Sequence, residues 1–232
     1  MTVAVILAGG LGTRLRSAVP DLPKPMAQVG DRPFLEYLMD YWIKQGVCNF
    51  VLSVGYKRDS IINYFGSSYK NMPVSYVVEG EPLGTGGGLV LAAQKLNEPF
   101  LLLNGDTYFE ASLADLKNSH IKNSSDWTIA LFEANEGGRY GGITIDQSHK
   151  ISALNTAKGE AGELANGGVY FIEPSSLDLE KFIAGKKYSL EDEVIKSLIE
   201  DGKKIVGIKQ SGVFLDIGIP KDYFDAQQII CK

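Results

Sequence analysis

Four short apolar runs separated by segments of helical spacing constrain this chain more than any other feature. Val3–Leu7, "NFVLSVGY" (49–56), "VSYVVEGE" (74–81) and "PFLLLNGD" (99–106) have the length of buried strands. Between them lie "FLEYLMDYWIKQG" (34–46), "RDSIINYF" (58–65) and "GGGLVLAAQKL" (86–96), which read as helices; the first two stop at glycine. This alternation predicts parallel strands with right-handed crossovers, and ligands at the strands' carboxyl ends. The features that follow the strands should therefore converge: Gly9–Arg14 after the first, Glu79–Gly86 after the third, Asn104–Asp106 after the fourth.

The second half is less regular. "DWTIALFEA", "GGITID", "KISALNTA", "GGVYFIEP", "KKIVGIKQ" and "GVFLDIG" read as strands of a mixed region. "SLEDEVIKSLIEDG" (189–202) reads as a helix with acids early and a lysine later, and "PKDYFDAQQII" as a terminal helix with Pro220 at its start. With 232 residues and no linker or low-complexity segment, one domain is expected, with residues 1–110 and 111–232 as its two halves.

The loop "AGGLGTRLRSAVPDLPKPM" (8–26) carries Gly9, Gly10 and Gly12 together with Arg14, Arg16 and Lys24. Bare backbone amides beside cations suit a polyphosphate. Two common phosphate loops are excluded. No GxxxxGK[ST] run occurs, and the dinucleotide fingerprint fails because position 15 is leucine, where a glycine is needed for close helix–strand packing. The second strand also ends "SVGY", without an acid for a ribose.

A formal net charge of −5 excludes a broad basic surface for nucleic acid, so a polyanionic substrate needs local cations and a divalent metal. Cys48 and Cys231 form no CxxC pair or disulfide framework, and no apolar run is long enough for a signal peptide or a membrane span. A cytoplasmic protein with no nucleic-acid or membrane partner is expected.

Four motifs, "AGGLGTRL" with "PKPM", "EPLGTGGG", "NGDTYF" and "FLDIGIPKDY", occur in the order found in the sugar-1-phosphate nucleotidylyltransferase family, which the chain resembles over nearly its whole length. Within that family "LPKPMA", "LSVGYK", "PLGTGGG", "RYGGI", "NGGVY" and "YSLEDE" are most similar to the guanylyltransferases of heptose 1-phosphates. The resemblance implies a three-layer α/β/α sandwich with a mostly parallel mixed sheet, a Rossmann-like nucleotidyltransferase fold. It also implies Mg²⁺-dependent attack of a sugar 1-phosphate on a nucleoside triphosphate, with GTP favoured, and release of pyrophosphate. Such chemistry needs no general base, because the nucleophile is already an anion; it needs cations, amides and metal to stabilise charge.

On this resemblance Arg14 and Lys24 are the catalytic cations, for the departing pyrophosphate and for the sugar phosphate or α-phosphate. Pro23 and Pro25 stiffen the backbone around Lys24. Leu7, Gly9, Gly10, Gly12, Thr13, Glu79, Gly84 and Thr85 would hold the nucleotide, with Glu79 accepting from the guanine amino group. Gly84, Gly86 and Gly87 would let the helix start approach the nucleotide closely. Asp106 and Asp216, each at the end of an apolar strand, would share Mg²⁺. Asn104, Gly141, Lys158, Glu163 and Asn166 would meet the sugar. The chain departs from many relatives at "NTAKG", which lacks the Glu that usually precedes that lysine.

The remaining features read as structural. His120 and His149 lack metal-ligand spacing and are expected at the surface. Tyr37, Tyr41 and Trp42 fall at helical spacing and read as core or as the contact of a homodimer. The sequence ends soon after "DYFDAQQIICK", so no β-helix domain and no acyltransferase activity are expected. Three alternatives stay open: mannose 1-phosphate with GTP, N-acetylmuramate 1-phosphate with UTP, and a regulatory homologue without turnover.

Overall fold

Alternation along the sequence becomes alternation in space in the computed structural model, which describes residues 1–10, 12, 15 and 21–231, with side chains at all of these except 155–158. The first half runs β1 (Thr2–Leu7), β2 (Gln28–Val29), β3 (Arg32–Pro33), α1 (Phe34–Lys44), β4 (Val47–Val54), α2 (Arg58–Phe65), β5 (Ser68–Tyr69), β6 (Met72–Val78), α3 (Gly84–Ala93), β7 (Phe100–Asn104), β8 (Thr107–Phe109) and α4 (Leu113–Asn123). The second half adds β9 (Trp127–Glu133), β10 (Gly141–Ile145), β11 (Ile151–Lys158), β12 (Leu164–Ile172), a π-turn (Leu190–Ile195), α5 (Lys196–Glu200), β13 (Ile205–Lys209), β14 (Phe214–Asp216) and α6 (Pro220–Ile229).

Among the described residues the central sheet has ten strands. β1 lies parallel between β4 and β7, with Val5 opposite Val51 on one side and Leu102 on the other, and β6 continues the parallel half beyond β4. Beyond β7, the long strand β12 runs antiparallel to β7 and β9, and β13 joins β9 in parallel. β8 and β14 form a separate antiparallel ribbon in which Asp216 faces Thr107.

Period-two geometry explains why the first-half strands read as unbroken apolar runs: both faces are covered. Ala4 and Ile6 point to one core with Leu38 and Trp42 of α1, Ile61 of α2 and Leu116 of α4. Val5 points to the other core with Leu89 and Val90 of α3 and with Leu190 and Val194 of the π-turn. This is the α/β/α layering that the resemblance implies. Burying each large apolar side chain contributes roughly 1.5–3 kcal/mol. Trp42 is fully buried and Tyr37 nearly so, which makes that aromatic cluster core.

Two readings are corrected and one helix is added. α4 was not legible from its weak apolar pattern, although Ser112 caps it by accepting from the Asp115 backbone N–H at 3.1 Å. His120 sits on that unforeseen helix and is buried, its Nδ1 3.1 Å from Thr128 Oγ1, whereas His149 is exposed as expected. Residues 189–202 do not form one continuous α-helix. The Val194 N–H reaches back five residues to the Ser189 carbonyl at 3.1 Å, widening the first turn into a π-turn before α5 begins.

Candidate active site

The carboxyl ends of β1, β6 and β7 open into one cavity of about 320 Å³. Leu7, Ala8, Gly9, Gly10 and Gly12 form one wall, Glu79 with Pro82, Gly84 and Thr85 another, and Asn104 to Asp106 a third. Lys24 and Lys187 supply its cations. Gly9 has no room for a side chain, since a Cβ there would lie 2.2 Å from Glu79 Oε1. Glu79 is buried beneath it, accepting from Ser53 Oγ at 3.0 Å and from the Leu83 backbone N–H at 3.1 Å. These two bonds fix the carboxylate and leave it lone pairs for a further donor. Glu81, two residues on, is exposed.

The glycines of "GTGGG" serve a neighbour that the sequence did not reveal. A Cβ on Gly84 would lie 2.6 Å from the Tyr188 carbonyl, and one on Gly87 2.5 Å from the Lys186 carbonyl. The N–H groups of Gly86 and Gly87 both donate to Tyr188, and Thr85 Oγ1 accepts from the Leu190 N–H at 3.1 Å. The close approach at Gly84, Gly86 and Gly87 is therefore made by the chain leading into the π-turn, while Gly84 and Thr85 also face the cavity.

A second cavity of about 430 Å³ lies on the other side of Asn104, which lines both. Thr107, Arg139, Tyr140, Gly141, Asn166, Glu191, Asp192 and Asp216 contribute to it. Asn166 reaches it from an irregular stretch of β12, where Gly167 and Gly168 admit Phe109 and Asn104: a Cβ on Gly168 would lie 2.9 Å from Asn104 Nδ2. The Asn166 amide donates to the buried Tyr170 hydroxyl at 2.6 Å. Glu163 is not brought here. It stands in the bend just before β12, and its exposed carboxylate accepts from the Glu160 N–H at 3.2 Å.

The two cavities meet at a charged seam. Lys24 Nζ donates to Asp106 Oδ2 at 2.9 Å, and its side chain is only 13% exposed. A Cβ placed on Gly218 would lie 2.7 Å from Lys24 Nζ, 2.7 Å from Asp216 Oδ1 and 3.3 Å from Asp106 Oδ2. One ammonium and two carboxylates thus face a single point. The ribbon holds them there: the Ile217 N–H donates to the Asp106 carbonyl at 3.0 Å. Asp216 is anchored in turn, because its N–H donates to the buried Asp222 carboxylate at 3.3 Å, which also pairs with Arg139.

This donor set suits a hard cation. Mg²⁺ is commonly held by one or two carboxylates, with water and substrate phosphates completing its shell. Among the described residues no group of three or more His, Cys, Asp or Glu stands together. Thr13, Arg14 and Arg16 lie outside the described residues, as does the side chain of Lys158, whose backbone pairs with Gly141. Lys187, Arg139 and Glu191 were not singled out by the sequence. Lys187 and Arg139 reach the cavities from irregular segments that carry no periodic signal, and Glu191 from the π-turn inside a segment that reads as a regular helix. Among the described residues no helix is long and apolar enough to cross a membrane.

The chain is similar to known proteins over nearly its whole length. The chain is 40% identical over 227 residues to a D-glycero-alpha-D-manno-heptose 1-phosphate guanylyltransferase of Aneurinibacillus thermoaerophilus, covering 97% of this chain and 96% of that one. It is 36% identical to the enzyme of the same description from Campylobacter jejuni, over 95% and 96% of the two chains. Its fold superposes on HddC from Yersinia pseudotuberculosis with a TM-score of 0.86 at 35% identity, covering 98% and 99%, and on HddC complexed with GMP-PN with a TM-score of 0.85 at 34% identity over the same shares. The Nucleotidyl transferase family matches residues 3–232 and so takes in both cavities and the seam between them. The chain belongs to the nucleotidyl transferase family and is an enzyme of that class.

Proposed function

We propose that this enzyme transfers GMP from GTP to D-glycero-α-D-manno-heptose 1-phosphate, giving GDP-heptose and pyrophosphate for a surface polysaccharide. The observation that carries the reading is the seam: Lys24, Asp106 and Asp216 face one point where the two cavities join. Similarity over nearly the full length of two heptose 1-phosphate guanylyltransferases supports the choice of substrates.

In this reading GTP occupies the first cavity. Its phosphates lie along the amides of Gly9, Gly10, Gly12 and Thr13, with Arg14 toward the leaving pyrophosphate. Leu7, Gly84 and Thr85 border the nucleoside, and Glu79 takes the guanine amino group as a donor. The heptose occupies the second cavity against Asn104, Gly141 and Asn166, its phosphate toward the seam. Lys24 and Lys158 neutralise that phosphate, so two anions can approach in line.

Enzymes of this family typically use a divalent metal, and we assign Mg²⁺ here, held by Asp106 and Asp216. When bound, it supplies charge stabilisation to phosphate oxygens. The two carboxylates orient it, Gly218 keeps the space beside them open, and Asp222 holds Asp216 in place. A cytoplasmic location and a homodimer remain part of the proposal.

The test is pyrophosphate release across GTP, UTP and ATP combined with heptose, mannose and N-acetylmuramate 1-phosphates. GTP with the heptose phosphate should exceed every other pair in kcat/KM. Mannose 1-phosphate is the principal competitor, because a mannose-1-phosphate guanylyltransferase of Mycobacterium tuberculosis is 34% identical over 95% of this chain and 62% of its own. Preference for mannose 1-phosphate would overturn the sugar and keep the nucleotide.

A further inference from the structure

We infer that Glu191 is a sugar-specificity residue, its carboxylate accepting hydrogen bonds from hydroxyls of the sugar 1-phosphate in the second cavity. The inference rests on the reading that this cavity holds the sugar. It adds a residue that the four sequence motifs assigned to the site do not contain.

Glu191 lines the second cavity with Asn104, Asn166 and Asp216. It comes from the π-turn, where one extra residue per turn re-aims a side chain, and such turns recur at functional sites. The turn itself is firmly tied. The Leu190 N–H donates to Thr85 Oγ1, the Ser189 N–H donates to Glu193 Oε2 at 2.6 Å, and Ser189 Oγ caps the Asp192 N–H at 3.1 Å. Glu191 is therefore placed by the scaffold rather than carried on a loose loop.

Its hydrogen-bonding is incomplete. The Tyr170 hydroxyl donates to Glu191 Oε1 at the long distance of 3.4 Å, and the Asn166 amide donates to that hydroxyl in turn. An ionised carboxylate offers about four acceptor positions; the Tyr170 hydroxyl and the Glu191 backbone N–H take up part of that capacity and leave the rest for a ligand. Burial pushes its carboxyl above the usual range, with Asp192 and Asp106 adding to the rise. A carboxylate kept desolvated and poorly satisfied destabilises the fold, and in a cleft that combination marks a functional group. Sugar hydroxyls are the donors it lacks. Charge also orients the ligand: Glu191 and Asp192 repel the phosphate, while Lys24 and Arg139 attract it. The hydroxyls are thereby turned toward Glu191 and the phosphate toward the seam. Sites built to bond a hydroxyl discriminate strongly against analogues that lack it.

The test compares the wild type with Glu191→Gln, using calorimetric binding of heptose and mannose 1-phosphates and their monodeoxy analogues, alongside steady-state kinetics. The expected result is a tenfold or greater rise in Kd and KM for the preferred sugar 1-phosphate. The KM for GTP and the affinity for Mn²⁺ should stay within twofold, and Tm should not fall. One monodeoxy analogue should bind the wild type at least tenfold worse than its parent, and Glu191→Gln should lose that discrimination. Unchanged sugar affinity, an equal shift for GTP, weakened Mn²⁺ binding, or a wild type that binds none of the sugars would each overturn the inference. If the wild type prefers mannose to heptose, the proposed substrate falls while the Glu191 comparison proceeds on mannose 1-phosphate.

Discussion

Lys24 Nζ lies 2.9 Å from Asp106 Oδ2, so the ammonium proposed to hold phosphate and the carboxylate proposed to hold metal neutralise each other across the seam. The pairing keeps a largely buried ammonium satisfied until substrates arrive. Asp106, if it held a divalent cation, would release Lys24 from this pair for phosphate. Lys24→Met should therefore tighten Mn²⁺ binding in the absence of nucleotide, read by electron paramagnetic resonance. The same substitution should lower kcat on the order of 10²–10³-fold. Weaker Mn²⁺ binding in the variant would contradict this relationship.

Asp222 anchors Asp216 from behind. Its buried carboxylate accepts from the Asp216 N–H and pairs with Arg139. Burial works against the Arg139 charge, but the hydrogen bond to Asp222, with the nearby Tyr140, Asp222 and Asp216 charges, raises its pKa on balance. Removing one partner of a buried pair costs about 3–5 kcal/mol. Asp222→Asn should lose on the order of 3 kcal/mol in urea unfolding. At temperatures where it remains folded, it should also need several-fold more Mn²⁺ for half-saturation. Stability loss with unaltered metal affinity would reduce Asp222 to a purely structural role.

Two glycines should respond in opposite ways. A Cβ on Gly105 would lie 2.4 Å from the Leu7 carbonyl oxygen, where β1 and β7 pack backbone to backbone, so Gly105→Ala should lower Tm by several degrees. A Cβ on Gly218 meets mainly the movable ends of Lys24 and Asp216. Gly218→Ala should melt within about 2 °C of the wild type yet lose at least 10²-fold in kcat/KM, on the scale of a lost electrostatic contact. A fully active Gly218→Ala would place the reacting atoms elsewhere.

His120 gives the fold a pH dependence. Burial lowers its pKa below the ordinary 6.5, against the opposing influence of Glu173 and Asp126. The neighbours that face it are Thr128, Ser125 and the edge of Phe171. A depressed histidine contributes stability above its unfolded pKa, about 6.5, and that contribution is lost as pH falls toward the folded value. The free energy of unfolding should fall more between pH 7.5 and pH 5.5 for the wild type than for His120→Gln. Equal slopes would show that the imidazole does not titrate differently on folding.

The parts of the fold legible in the sequence were those with a single repeating rule. Val3–Leu7 announced a strand because both its faces are buried. Gly9, Glu79 and Asp106 could be gathered in advance because parallel strands deliver their carboxyl ends to one side. Asp216 was legible by the same apolar-run pattern. Glu191 was not, since a regular helix read through 189–202 hides a π-turn set by Thr85 and the Ser189 carbonyl. Arg139 was passed over because its importance comes from Asp222, 83 residues away. Glu163 is not brought to the second cavity because it stands in the bend before β12, tied to the Glu160 N–H, and α4 was missed because its apolar periodicity is weak, although Ser112 caps it.

The central claim is that the bond broken lies between the α- and β-phosphates of GTP, with GMP passing to the sugar phosphate at the seam. It is tested most directly by incubating the enzyme and heptose 1-phosphate with GTP labelled at the α-phosphorus or, separately, at the γ-phosphorus, and separating the products. The expected result is α-label in GDP-heptose and γ-label in pyrophosphate, both abolished in Asp216→Asn. Label appearing as GDP with free phosphate, or γ-label transferred to the sugar, would contradict it.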